Sequence, residues 1–390
     1  MTADVPGYIT TAFWVAVLIV LYAYAGYPVV LMVLGVFRAG RPAPSATGSL
    51  PKVSLLISAY NEAAVIEDKL VNSLDLDYPR ELLEIVVVSD ASCDGTDDIV
   101  RGYEGRGVVL KTCEGHIGKT ACLNRAVPEA AGDVIVFSDA NSRYDRRALR
   151  CLVERFSDRT IGFVTGRTEY TPAAGDGSLC PAGLYTRVEG LTKALEGRIG
   201  SCVGADGAIF AIRKSLYQPL DASDINDLVI PVKIVEQGYR GVMAPGAFCI
   251  EPAAPAVSGE FARHVRITAR SLRAIFTHPG LMNPFRYPLF SFELVSHKLI
   301  RFLVPFALFT AFFTNVLIAA GGKGAVYGAT LFLQACLYTL WLAGSLDIPL
   351  SFLTRPSRAA HTFCAVNLAM LVGWIKFLKG EKFTTWAIQR

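Results

Sequence analysis

Charge is scarce in this chain, which tells against one broad functional class. Only 18% of the 390 residues are Asp, Glu, Lys or Arg, and the net charge is +4. A nucleic-acid binder usually carries a strongly basic domain, so that class is disfavoured. The nine cysteines, at 93, 113, 122, 151, 180, 202, 249, 336 and 364, form no C-x-x-C pair and no Cys/His group with zinc spacing. An odd, dispersed set fits reduced thiols in a cytosolic domain better than a disulfide framework. Charge is missing altogether from residues 8–37. That run exceeds the roughly 20 apolar residues needed to cross a bilayer core. A secretory signal peptide has a basic start and a short apolar stretch, whereas this start carries Asp4 and the run is long.

What the chain has in excess is apolar surface. It is 52% hydrophobic with a mean hydropathy of +0.38, above an ordinary soluble enzyme. The excess sits before about residue 38 and after about residue 298, leaving room between for one substantial soluble domain. Pro28 is expected to kink the first span. Arg38 and Arg41 follow it, and the positive-inside rule places what comes next in the cytosol. Three more apolar segments follow, at 303–320, 325–346 and 364–375. Three crossings would carry the C-terminus outside, although Lys379, Lys382 and Arg390 make that tail basic; the other arrangement lays the last segment in the interface. The expected plan is an anchor at 1–38, a catalytic domain at 50–258, amphipathic interface helices at 259–298, membrane segments at 299–378 and a basic tail at 379–390.

The middle reads as alternating strands and helices. Apolar, β-branched runs at 53–58, 84–89, 107–110, 133–138 and 160–164 are separated by helical patterns at 62–74, 95–103, 118–130 and 146–156. Such alternation predicts an α/β domain with a mostly parallel, Rossmann-like sheet covered on both faces. Ligands bind at the carboxyl ends of strands in these sheets. Three polar clusters fall there: Tyr60, Asn61 and Glu62, then Asp90 to Asp94, then Asp139 to Asn141.

Each motif has a chemical reading and a plain one. In S-D-A-N (138–141), Asp139 and Asn141 offer ligands for a divalent cation that would neutralise a diphosphate leaving group. The plain reading is an Asx turn. In V-S-D-A-S-C-D-G-T (88–96), Asp90 can accept from a nucleobase imide, while Ser92 or Asp94 caps the next helix. In G-H-I-G-K-T-A-C-L-N (115–124), Lys119 at a helix start favours phosphate, although the spacing is not that of a P-loop. Elsewhere such a lysine is simply exposed. In I-N-D-L-V-I-P-V-K-I-V-E-Q-G (225–238), Asn226 or Asp227 reads as an N-cap. Asp227 is also a candidate general base, since inverting glycosyl transfer needs a carboxylate to take the acceptor hydroxyl's proton. The glycines of G-A-D-G (204–207) flank Asp206 and allow close approach to a sugar, or make a turn before a short strand. Residues 259–277 form an amphipathic helix whose Arg263, Arg266, Arg270 and Arg273 line one stripe, suited to anionic lipid or to a diphosphate.

Taken in order, S-A-Y-N-E, V-S-D-A-S-C-D-G, G-K-T-A-C-L-N, S-D-A-N, G-A-D-G, I-N-D and the arginine-rich helix resemble the family 2 glycosyltransferases of GT-A fold. The resemblance covers about residues 50–275 and is nearest to the membrane-embedded exopolysaccharide synthases that make cellulose, chitin oligomers, hyaluronan and poly-N-acetylglucosamine. It implies that Tyr60, Glu62 and Asp90 hold the nucleoside, usually uridine, and that Lys119 approaches the donor's base or phosphates. Arg270 and Arg273 would serve the donor diphosphate, and Gly204, Asp206 and Gly207 the acceptor. Asp139 would match the metal-ligating aspartate of D-x-D, with Mg²⁺ or Mn²⁺ as cofactor, and Asp227 the family's E-D base. The chain departs from the pattern twice. Asn141 replaces the second acid of D-x-D, and Arg270-Ser-Leu-Arg273-Ala stands where processive members have Q-x-x-R-W.

The expected function is therefore inverting transfer from a UDP-sugar to a glycan acceptor in bacterial exopolysaccharide synthesis, by a multi-pass protein of the inner membrane with a cytosolic active site. The lost tryptophan keeps open a single addition to a polyprenyl-phosphate or lipid-linked acceptor. A nucleotide-binding transporter or scaffold is disfavoured, because transporters usually carry ionisable residues within their spans.

Overall fold

Uninterrupted apolar runs become the buried strands of one sheet. In a computed structural model of the chain, residues 5–38, 49–171, 181–252, 257–322, 324–346 and 354–384 are described. β1 (Val53–Ala59) is buried at every position, as befits a central parallel strand covered on both faces. β2 (Leu83–Ser89) and β4 (Val134–Asp139) flank it in parallel, with Leu55 opposite Ile85 on one side and Val136 on the other. β3 (Val108–Thr112) pairs in parallel with the outer side of β2.

Beyond β4 the sheet changes direction. β7 (Ile209–Arg213) runs antiparallel between β4 and β6 (Ile161–Thr171). β8 (Arg240–Pro252) lies parallel to β6, and β5 (Arg143–Tyr144) closes that edge antiparallel to β8. The order is β3-β2-β1-β4-β7-β6-β8-β5. The mixed α/β, mostly parallel sheet is thus as expected, with an antiparallel insertion at β7 that matters for the site. Because β7 is reversed, the segment that feeds its start emerges at the same edge as the carboxyl end of β4. Gly241 in β8 has no side chain because the Phe163 ring lies where a Cβ would project.

The helices are α1 (Ile66–Leu74), α2 (Thr96–Arg101), α3 (Lys119–Glu129), α4 (Ala148–Val153), α5 (Pro181–Ile199) and α6 (Asn226–Glu236). α1 begins four residues later than the pattern at 62 implied. Asn61 there takes a left-handed conformation, φ 52°, and Glu62 contributes a turn through its carbonyl, which accepts from Val65 and Ile66. The helix expected from capping at Asn226 or Asp227 does form, but its N-cap is Ile225 and no side chain caps it. Asp227 therefore sits inside the first turn of α6, not at the cap.

By contacts the chain falls into two bodies. One comprises Leu31–Ala256, Arg273–Glu293 and Lys382–Arg390 and contains the sheet; the other comprises Met1–Val30, Val257–Leu272 and Leu294–Glu381. Among the described residues, four helices are long and apolar enough to cross a membrane: Gly7–Phe37, Pro288–Ala320, Ala325–Ser345 and Pro356–Leu378. The last is longer than the 364–375 core seen in the sequence. Pro28, which lacks the N–H that would bond to Tyr24, is preceded by a widened turn at Tyr22–Gly26. Within the helical body, Phe13 and Ala16 pack on Ala307, Ala311 and Ile318.

Candidate active site

Three strand ends and two helix starts supply the site. The loops after β1 and β2 are laced together. The Asn61 amide donates to Ser92 Oγ at 3.1 Å, the Glu62 amide to Thr96 Oγ1 at 2.8 Å and the Ala63 amide to Asp94 Oδ2 at 3.0 Å; the Cys93 amide returns one to Asn61 Oδ1 at 2.8 Å. Burial works against charge on Asp94, but the bonds from Thr96 and Ala63 outweigh it and hold the carboxyl below the usual range. Asp94 is thus the local organiser, accepting from the Thr96 amide at 3.1 Å, and Asp90 is left for a different task.

Asp90 ends β2 and is almost wholly buried. It accepts from the amides of Ile117 and Gly118 at 2.8 and 2.9 Å, and His116 Nδ1 lies 2.8 Å from Oδ2. The Cys122 thiol also points at Oδ1, at 3.3 Å, and burial pushes that thiol well above the ordinary range. Gly118, at φ 91° and ψ 150°, adopts a conformation open essentially to glycine, and so turns its amide onto Asp90 just before α3 begins. Tyr60 stacks on His116 with ring centroids 3.9 Å apart and planes at 20°. Tyr60, Glu62 and Asp90 are brought to one edge as expected. His116 was not singled out in the sequence; a lone histidine carries no local signal, and its contacts come from two other strand ends.

Lys119, the first residue of α3, makes an ion pair with Asp139 at the end of β4. The N-terminus of α3, the lysine and the aspartate thus share one spot. Asn141 follows at the turn, partly exposed. Among the described residues no group of three or more His, Cys, Asp or Glu forms a ready cation site. The protein donors here are one carboxylate and one amide oxygen. That set fits Mg²⁺ or Mn²⁺ held jointly with phosphate oxygens, the arrangement Mg²⁺ favours.

Behind this turn Lys69 is fully buried. Its Nζ donates to Ser142 O at 2.6 Å and lies 3.9 Å from the Tyr144 ring centroid. Burial lowers its pKa to about 7, against the pull of Cys249, Asp139 and Glu251. Ser142 is anchored from the other side by Glu251, through a 2.5 Å bond from its hydroxyl.

The G-A-D-G segment wraps the start of α6. The Ala205 amide donates to Asp227 O at 2.8 Å, and a Cβ at Gly207 would stand 3.3 Å from Asp227 Oδ2. A Cβ at Gly204 would likewise lie 3.4 Å from Asp227 O. The two glycines therefore let the loop lie against Asp227. Asp206 itself is engaged inside the fold. It accepts from the Thr168 amide and hydroxyl at 2.9 and 2.8 Å, and its own amide donates to Thr165 Oγ1 at 2.8 Å. Lys193 on α5 is buried beneath the loop, with Nζ 3.3 Å from Ala205 O and 3.9 Å from Glu189. Burial would lower its pKa, but Glu189, Asp206, Cys202 and Asp227 together raise it. α3 ties the two halves of the site: Thr120 Oγ1 donates to Asp224 O at 3.0 Å, three residues before Asp227. Arg273 belongs to the body that holds the sheet, and Arg270 to the helical body. Both are half-buried on helix Val257–Thr277.

The mostly parallel sheet with β7 inserted antiparallel beyond β4 is a fold of the GT-A type. Residues 54–217 match the sequence model of the glycosyl transferase family 2. That segment, from β1 to just beyond β7, is similar in sequence to family 2 glycosyltransferase domains. It is 30% identical over 220 residues to the probable glycosyltransferase YdaM of Bacillus subtilis, covering 52% of this chain and 51% of that one. It is 26% identical over 206 residues to the poly-beta-1,6-N-acetyl-D-glucosamine synthase of Staphylococcus aureus, covering 51% and 50%. The chain thus spans about half the length of the curated relatives it matches. Its fold is also that of a solved mannosyltransferase from Pyrobaculum calidifontis in complex with GDP-Man and Mn²⁺: TM-score 0.72, 24% identity, 95% of this chain and 100% of that one.

Proposed function

We propose that this protein is a membrane-embedded, inverting glycosyltransferase that moves a sugar from a UDP-sugar to a glycan acceptor. The observation that carries the reading is the position of Asp227 in the first turn of α6, held against Gly207 and unused as a cap. In this reading Tyr60, Glu62 and the Asp90 loop hold the nucleoside. Lys119, at the N-terminus of α3, faces the diphosphate, where the helix start and the ammonium both favour anionic oxygens. Asp139 and Asn141 would hold Mg²⁺ or Mn²⁺, which when bound supplies charge to the departing diphosphate. Arg273, in the same body as the sheet, adds a guanidinium group suited to the same oxygens. Asp227 takes the proton from the acceptor hydroxyl as that oxygen attacks the anomeric carbon. The glycines at 204 and 207 keep the acceptor's path to that carboxylate clear of side chains, and Asp206 holds the loop in shape.

Relatedness to the poly-N-acetylglucosamine synthase supports a glycan acceptor and a role in bacterial exopolysaccharide synthesis. The four apolar helices support a multi-pass protein of the inner membrane with its active site in the cytosol. One observation favours a second reading, a single addition to a polyprenyl-phosphate or lipid-linked acceptor: Ala274 stands where the processive pattern has tryptophan, and it is buried. The test of the base is Asp227→Asn. It is expected to bind donor nucleotide as the native protein does and to lose turnover by ~10²-fold or more, the scale of a lost general base. Turnover within a few-fold of native would remove Asp227 from the reaction.

A further inference from the structure

A carboxylate at Asp90 is the natural reader of a nucleobase, but here its acceptor positions are already filled. A carboxylate offers about four lone-pair sites. Asp90 uses Oδ1 for the Ile117 amide and the Cys122 thiol, and Oδ2 for the Gly118 amide and the His116 ring. It is also almost completely buried, with 1% of its surface exposed. The group that stands outside it is His116, whose side chain is 30% exposed and whose ring plane is fixed by the stack on Tyr60. Asp90 accepts from Nδ1, so Nδ1 carries the ring proton. In the neutral ring Nε2 is then a hydrogen-bond acceptor. Among the described residues Nε2 has no hydrogen bond.

We propose that His116, oriented by Asp90 and Tyr60, reads the donor's nucleobase by accepting a ring N–H at Nε2. The assignment rests on the proposed donor site at this edge and deepens it. The bases that satisfy it are those with a protonated ring nitrogen on the pairing edge, uracil and guanine. Cytosine and adenine present a lone pair there, which would face the lone pair of Nε2. Discrimination of this kind is strong because the mismatched complex leaves two acceptors opposed and desolvated.

The experiment measures dissociation constants of UDP, GDP, CDP and ADP by calorimetry, with the full chain in detergent and Mn²⁺ present. His116→Phe keeps a ring for Tyr60 but removes Nε2; His116→Ala is the second variant, and melting curves confirm that both are folded. The native protein is expected to bind UDP or GDP at least about tenfold more tightly than CDP and ADP, the worth of one good hydrogen bond. In both variants that ratio is expected to fall towards one, mainly through loss of the uracil or guanine complex. The proposal is overturned if the native protein binds CDP or ADP equally well, or if the variants keep the native ratio. It is also overturned if His116→Ala binds UDP more tightly, because the imidazole would then be occupying the base's place. In each of those results nucleotide is still bound and the donor site stands; binding of none of the four would remove the donor site as well.

Discussion

At the scale of single residues, the buried lysines show how the charges of the site are held. Lys69 lies under the Asp139–Ser142 turn with its pKa lowered from 10.5 to about 7. The folded state thus releases this proton about three units before the unfolded chain does. Between about pH 7 and pH 10.5 the unfolded state binds more protons, so Lys69 makes stability rise with pH across that window. The slope attributable to it is at most about 1.4 kcal/mol per pH unit. Lys69→Met should flatten the pH dependence of the melting temperature between pH 7 and pH 10, relative to the native chain in the same detergent. Parallel pH profiles for the two proteins would mean that Lys69 remains charged in the fold. Lys193 behaves in the opposite sense, because several acidic groups surround it. A lysine on a helix reads as surface in a sequence; its burial here is set by carboxylates from the helix, the G-A-D-G loop and α6, which no local pattern connects.

At the scale of elements, the site depends on how loops leave the strands. Gly118 is the clearest case. A side chain at φ 91° and ψ 150° is strained, and relief of that strain would turn the Gly118 amide away from Asp90. Gly118→Ala is expected to weaken nucleotide binding by about tenfold, the loss of a charge-assisted bond and the loop order behind it. Calorimetry with UDP checks this, and unchanged affinity would show that the loop tolerates the residue. The parallel half of the sheet was legible because its strands are continuous apolar runs ending in polar clusters: V-S-L-L-I-S, E-I-V-V-V-S and D-V-I-V-F-S. The other half was less legible. β8 was not foreseen because R-G-V-M-A-P-G-A-F-C-I-E-P carries two glycines and two prolines, which argue against a strand until β6 and β5 pair with it. α5 was not foreseen either; Gly190 and Gly197 interrupt its pattern, and Gly197 is required because the β8 backbone at Val242 passes within 2.9 Å of where its Cβ would lie. Of the candidate site, Asp90, Lys119, Asp139 and Asp227 were marked by strand-end and helix-start motifs whose order carries the family resemblance, whereas His116 and Lys193 depend on tertiary contact alone.

At the scale of the whole molecule, four helices of membrane-crossing length have a consequence of parity. If all four cross, the even number of crossings brings the C-terminus to the side of the N-terminus, opposite residues 49–252, and so parts it from the strands with which Lys382–Arg390 is grouped. In the proposed topology the basic residues after the first helix keep residues 49–252 in the cytosol. Reporter fusions at the two termini are then expected to report the same, non-cytosolic side. Opposite sides would mean that one helix lies in the interface, and Pro356–Leu378, with Arg355 and Lys379 at its ends and Lys376 in its last turn, would be the first to reassign.

The measurement that tests the account most directly is transfer itself. The 390-residue chain in detergent is offered a panel of radiolabelled UDP-sugars with Mg²⁺ or Mn²⁺, and products are separated by size and by organic extraction. The account predicts metal-dependent transfer from at least one UDP-sugar into a water-soluble glycan, abolished in Asp227→Asn. Label confined to a single lipid-extractable product would replace the glycan acceptor with a lipid-linked one. No transfer from any UDP-sugar, with metal present and the protein folded, would contradict the assignment of a UDP-sugar donor.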